Sequence, residues 1–119
     1  MNYKKLFLVE KNTLYEKKKL IKYFEEIKDE VIIFIDKSEK IRVSSSICPH
    51  FGGEIYFDFN KDILRCKWHD WKYCKNTGEC LTHSIKGRLK QYDFEVKPTK
   101  LKKYDHEIKE NKIYLVINE

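Results

Sequence analysis

The sequence predicts a mostly β domain, on three observations. Short runs rich in β-branched and aromatic residues recur along the chain, polar turns separate them, and only one stretch carries a helical periodicity. The strongest run is Val31-Ile32-Ile33-Phe34-Ile35, apolar throughout and too short for an ordinary helix, which is the pattern of a buried strand. The composition supports a core: 41% of the 119 residues are hydrophobic and 14% aromatic, beneath a surface supplied by the 37% that are charged. A chain of this length is read as one domain over residues 1–119.

In order, residues 5–9 read as a first strand. Residues 14–28 fit two descriptions. Thr13-Leu14-Tyr15-Glu16 has the form of a capping box, with Leu20, Phe24 and Ile27 on one helical face, yet residues 20–24 read equally well as a strand. The buried run at 31–35 is followed by a polar turn over residues 36–40 and a partner strand at 41–43. Ile63-Leu64-Arg65 is a short strand entering Cys66, and Asn76-Thr77-Gly78 is a turn. Residues 104–108 and 112–117 form a hairpin across Glu110-Asn111, the second arm alternating with Ile113, Leu115 and Ile117 on one face. Residues 89–96 echo residues 101–108, but two copies do not make a repeat fold.

The formal charge is +6, from 25 Lys and Arg against 19 Asp and Glu. The lysines are interspersed with acids, and the densest run, Lys17-Lys18-Lys19, reads as a solvated face. No nucleic-acid motif accompanies them. No apolar run approaches the roughly 18 residues of a membrane span, and the N-terminus lacks the apolar core of a signal peptide. The expectation is a cytoplasmic protein with neither membrane nor nucleic-acid partner. In that compartment four cysteines indicate metal or redox chemistry before disulfides.

Two clusters carry that chemistry. The first is Cys48-Pro49-His50-Phe51-Gly52-Gly53 and the second is Cys66-Lys67-Trp68-His69-Asp70-Trp71-Lys72-Tyr73. Each offers one thiolate and one imidazole, ligands suited to zinc, copper or iron–sulfur centres. Neighbouring ligands on one loop converge on a metal, so two such loops supply four. A Cys2His2 zinc site fits the ligand types, although finger spacing keeps the two Cys together and the two His together, whereas each loop here mixes them.

Cys-x-His, then Cys-x-x-His, with the Gly pair and Trp-His-x-Trp-x-Tyr around them, resembles the signature of the Rieske [2Fe-2S] domain family. The similarity extends over about residues 31–117, with the two ligand loops within about 46–82. It implies an antiparallel β-sandwich of Rieske type with a two-loop cluster-binding subdomain. It also implies that Cys48 and Cys66 hold one iron while His50 and His69 hold the other, outer one. By charge counting, two ferric ions, two sulfides and two thiolates sum to zero, whereas four thiolates would leave a dianion. His ligation therefore raises the reduction potential, to roughly −150 to +300 mV across the family.

Around the ligands, Gly52 and Gly53 are expected to allow the chain a close turn. Trp68 and Trp71 are expected to shield the cluster, and Tyr73 to approach a ligand Cys. Asp70 departs from the Gly usual in the family. High-potential members brace their loops with a disulfide, whose positions are Gly53 and Trp68 here, and place a Ser where this chain has Trp71. Both features are absent, and this points to the lower part of the range.

The resemblance implies electron transfer, most simply by a soluble ferredoxin passing single electrons from a reductase to an oxygenase-type terminal enzyme. The alternative is a cluster-bearing small subunit of a larger oxidoreductase, as in some nitrite reductases. No catalytic iron site of two His and a carboxylate is expected, because His83 and His106 are far apart in sequence and read as surface or hairpin residues. Cys74 and Cys80, on either side of a turn, read as reduced structural residues, with a disulfide as the minor reading.

Overall fold

The computed structural model describes residues 3–49, 53–67, 71–81 and 100–118. Among the described residues, nine strands and one short helix fall in the order β1 (Tyr3–Glu10), α1 (Lys11–Lys17), β2 (Lys19–Phe24), β3 (Asp29–Ile35), β4 (Ile41–Ser45), β5 (Ile55–Asp58), β6 (Ile63–Cys66), β7 (Lys72–Tyr73), β8 (Lys103–Lys109) and β9 (Lys112–Asn118). They form a six-stranded antiparallel sheet, β1-β9-β8-β4-β3-β2, and a three-stranded sheet, β5-β6-β7. The larger sheet curls until its edges meet, where the Lys22 ammonium on β2 donates to the Phe7 carbonyl on β1 at 3.0 Å.

The ambiguous stretch at 14–28 holds both a helix and a strand. The helix begins at Lys11, earlier than the capping box implied, and its N-cap Glu10 makes no side-chain capping bond. Thr13 therefore lies inside the helix. Lys18 ends it with φ 71°, and β2 starts at once. The fifth strand, β5, carries no sequence signal stronger than Ile-Tyr-Phe-Asp; pairing with β6 creates it, with Ile55 opposite Cys66 and Asp58 opposite Ile63. The stretch at 89–96 that echoes residues 101–108 lies outside the described residues.

The apolar run in β3 is explained by two cores. Val31, Ile33 and Ile35 face a core inside the curled sheet, with Leu8, Leu14, Phe24, Val43, Ile113 and Leu115. Ile32 and Phe34 point the other way, into a second core with Ile55, Phe57, Leu64, Cys66, Trp71 and Tyr73. The Phe34 and Phe57 rings stack at 4.3 Å and join the two sheets.

A buried carboxylate reinforces this seam. Asp36 is 1% exposed. One oxygen accepts the Ser38 and Lys40 amides, and the other accepts Arg42 Nε at 3.1 Å and faces Lys75 Nζ at 3.2 Å. Lys75 also pairs with Asp62 in the β5–β6 turn, and Asp62 accepts the Lys37 amide. One carboxylate thus ties the β3–β4 turn to the outer edge of the smaller sheet.

Burial alone would raise the Asp36 pKa, but the Lys40 amide, Arg42 and Lys75 outweigh it and hold the carboxyl at about 2, against 3.8 ordinarily. Because the folded pKa is the lower one, the stabilisation is complete above the unfolded value and is lost as pH falls toward 2. Asp36→Asn should destabilise the fold by about 3 kcal/mol at neutral pH, since it leaves Arg42 without its carboxylate and Lys75 with Asp62 alone. The difference from wild type should shrink by about 2 kcal/mol below about pH 2. Urea unfolding across pH checks both statements.

Candidate metal centre

The smaller sheet and the end of β4 position the two clusters found in the sequence. The Ser46 amide donates to the Glu30 carbonyl at 2.7 Å and its hydroxyl donates to the Glu30 carboxylate at 2.7 Å, while the Ser45 hydroxyl donates to Asp29 at 3.0 Å. Tyr104 on β8 also donates its hydroxyl to Asp29. The entrance to the first loop is therefore held from β3 and β8 before Cys48 is reached.

Cys48 and Cys66 occupy matched settings. The Cys48 amide donates to the carbonyl of Gly53 at 2.7 Å, five residues on, and the Cys66 amide donates to that of Trp71, also five residues on, at 2.8 Å. Each bond closes a loop of the same length around a cysteine that is 1% exposed. Ile47 bridges Glu54 and the Ile55 amide donates to Ser46 across the base of the first loop, and the Lys67 amide beside Cys66 donates to Glu54, which ties the second loop to the first. His50 and His69, with Gly52, Trp68 and Asp70, lie outside the described residues. No group of three metal-ligating side chains occurs among the described residues, which contribute the two thiols.

Tyr73 and Trp71 complete the buried side of the site. Tyr73 is fully buried, and its hydroxyl lies 3.3 Å from Cys48 Sγ. Burial pushes its pKa far above the ordinary value, and the Cys48 contact acts in the same direction. Tyr73 therefore keeps its proton and is able to donate it to a thiolate sulfur. Trp71 is 4% exposed and packs in the second core beside both cysteines.

Cys74 and Cys80 do not face each other. Beyond β7 the chain folds back so that Tyr73 bridges Cys80, while the Cys74 amide donates to Glu79. Adjacent positions on an extended strand point to opposite faces, so Cys80 lies with Tyr73 against the second core and Cys74 lies on the other side. Both are free thiols. Burial raises the Cys74 pKa, but the Thr77 hydroxyl and the Thr77 and Asn76 amides outweigh it and leave the thiol below its ordinary value.

The turn between them depends on Gly78, at φ +79°, whose carbonyl accepts the Leu101 amide at 2.8 Å. A Cβ there would stand 2.1 Å from the Leu101 carbonyl oxygen, so only glycine fits.

A residue the sequence reading passed over lies beneath this turn. Lys103 has an enclosed Nζ with no hydrogen-bond partner among the described residues, 5.8 Å from the Phe34 ring centre. Nothing in the local sequence distinguishes it from its neighbour Lys102; the inward position comes from the pairing of β8 with β4, which sets Lys103 opposite Ser44. His106, on the same strand, is partly buried, and burial lowers its pKa.

A model of the Rieske [2Fe-2S] domain family matches residues 5–93. The chain belongs to that family. Its members carry a [2Fe-2S] cluster, and the resident chemistry is electron transfer. The two buried thiols, the paired loop closures and the Tyr73 donor fit such a group. No curated protein matches the chain in sequence.

Solved structures share the fold at low identity. The ferredoxin of carbazole 1,9a-dioxygenase from Nocardioides aromaticivorans IC177 is 16% identical, with a TM-score of 0.67 over 93% of this chain and 95% of that one. A protein assigned as the small subunit of an NADH-dependent nitrite reductase from Mycobacterium tuberculosis is 10% identical, with a TM-score of 0.63 over 99% and 96%. The quaternary ammonium Rieske monooxygenase CntA is 15% identical, with a TM-score of 0.69 over 93% of this chain but only 30% of its own.

Burial moves the Lys103 ammonium down to about 8 from 10.5, with the Arg42 charge acting in the same direction. The unfolded chain therefore binds more protons between those values, and stability rises with pH across that window. Lys103→Met should stabilise the fold on the order of 2 kcal/mol at pH 7 and lose that advantage above about pH 10.5. Paired denaturant titrations of the two proteins check the crossover.

Proposed function

We propose that this protein is an electron carrier whose cluster is held by Cys48, His50, Cys66 and His69. The observation that carries the reading is the matched pair of buried cysteines, each closed by an amide-to-carbonyl bond across the same loop length. The sequence places one histidine shortly after each cysteine, so two like loops supply two unlike pairs of ligands. The bound cluster supplies a site for one reversible electron. The chain's own residues anchor the loops, exclude water through Trp71 and the second core, and offer one hydroxyl at Cys48 Sγ.

The role favoured is that of a ferredoxin passing electrons from a reductase to an oxygenase-type enzyme. Support comes from the full-length match to the carbazole dioxygenase ferredoxin. An equally complete match supports a second reading, a small subunit of a nitrite-reductase-like complex. In either role the chain is a carrier and is not itself the catalyst. The single-domain reading over residues 1–119 accords with these near-complete matches, whereas CntA uses the fold as under a third of a longer chain.

The potential belongs in the lower part of the family range. Trp71 stands where high-potential members place a hydroxyl, and Gly53 and Trp68 stand where they place a disulfide. Among the described residues, Tyr73 is a hydroxyl donor placed to favour the reduced, more negative state. Anaerobic potentiometry should show a one-electron midpoint below about +100 mV, within the family range. Tyr73→Phe should lower it further by about 50 mV, the equivalent of roughly 1 kcal/mol for one hydrogen bond. A wild-type midpoint well above that limit, or an unchanged one in the variant, contradicts the account.

A further inference from the structure

The strand directions gather the chain's excess charge at one end. β4 runs toward Cys48, so the connections at the opposite end are α1 and its exit, the β3–β4 turn, the β5–β6 turn and the β8–β9 turn. Hydrogen bonds join them into one surface. The Lys11 amide at the start of α1 donates to Asn111 in the β8–β9 turn at 2.8 Å, and the Ile35 amide donates to Lys18 at the helix exit at 3.1 Å. Lys37 in the β3–β4 turn donates its amide to Asp62 and its ammonium to the Asn60 carbonyl in the β5–β6 turn.

Every one of these segments carries lysine. The helix and its exit bring Lys11, Lys17, Lys18 and Lys19; the β3–β4 turn brings Lys37 and Lys40; the remaining two turns bring Lys61, Lys109 and Lys112. All but Lys11 are exposed, against four exposed carboxylates, Glu10, Glu16, Glu39 and Glu110. The acids Asp36, Asp58 and Asp62 at this end are neutralised by Arg42, Arg65 and Lys75. The excess at this pole therefore comes close to the whole net charge of +6. Among the described residues the opposite end is nearly balanced, with Glu25, Glu26 and Glu54 among Lys28, Lys67 and Lys102. A run of three lysines in sequence looks like a solvated face; the fold adds six more to it.

We propose that this basic pole docks on an anionic lipid surface, as a peripheral contact that leaves the Cys48 end facing away from the bilayer. The chemistry favours lipid over an acidic protein. Protein interfaces are depleted in lysine and enriched in arginine, and Arg42 and Arg65 here are both committed to ion pairs. Long lysine side chains on several turns suit a diffuse, fluid layer of negative headgroups. Two exposed aromatics, Tyr15 at 41% and Phe59 at 55%, sit on the same segments and suit the headgroup boundary. No helix among the described residues is long and apolar enough to cross a membrane, so the contact rests on the surface.

The test is co-sedimentation of the cluster-loaded protein with phosphatidylcholine vesicles, with or without about one-third phosphatidylserine, at physiological ionic strength. Wild type should bind the anionic vesicles and not the neutral ones. The triple variant Lys17→Gln, Lys19→Gln, Lys112→Gln should bind about 100-fold more weakly. A control with the same charge change elsewhere, Lys28→Gln, Lys100→Gln, Lys102→Gln, should bind within a few-fold of wild type, and unchanged visible absorption establishes that both variants fold. Failure of wild type to bind, or equal losses in the two triples, overturns the proposal. A pole triple that binds vesicles normally but exchanges electrons slowly with its redox partner also overturns it and assigns the pole to an acidic protein.

Discussion

Everything in this structure depends on β3 being buried on both faces. With a side-chain period of two, Val31, Ile33 and Ile35 fill the core of the curled sheet while Ile32 and Phe34 fill the core beneath the cluster loops. A slip of one residue would exchange the two sets, and the register against β2 and β4 fixes which faces which. Asp29 and Glu30 at the start of the same strand hold the serines that lead into Cys48, and Asp36 just past its end binds the smaller sheet. One strand therefore carries the base, the first loop and the seam.

The site itself is assembled from repetition. Two loops of equal span rise from paired segments, each closed behind its cysteine by the backbone, so neither thiol depends on a mobile side chain for its position. The environment is dry on the inner side, with Tyr73, Trp71 and Leu64 buried around the sulfurs. A low-dielectric setting strengthens each hydrogen bond to a thiolate and makes each missing one costly. Under the proposed function, substitutions next to the ligands should therefore tune the potential, and the lower potential proposed for this chain rests on Trp71 in place of a serine and on Gly53 and Trp68 in place of a disulfide.

Much of this was legible in the sequence because the decisive signals are local. The β3 run, the hairpin across Glu110-Asn111 and the strand entering Cys66 follow from composition and periodicity, and all three are present. The ligand motif is a pattern of residue types and spacings that needs no fold to be read. The parts that were not legible are set by partners distant in the chain. β5 exists because β6 pairs with it, the helix at 11–17 ends at a left-handed Lys18 that no residue preference announces, and Lys103 is turned inward by the β4–β8 register. The divergence of Cys74 and Cys80 likewise comes from which residue of the turn bridges which.

The central claim is that two thiols and two imidazoles hold one iron–sulfur cluster, and pulsed EPR of the anaerobically reduced protein tests it most directly. The account predicts a one-electron signal with couplings to two histidine nitrogens, both changed by selective labelling of histidine with nitrogen-15 and one of them lost in His50→Cys or His69→Cys. A reduced cluster without nitrogen coupling would contradict the ligand set, and a colourless, EPR-silent protein containing zinc would contradict the cluster.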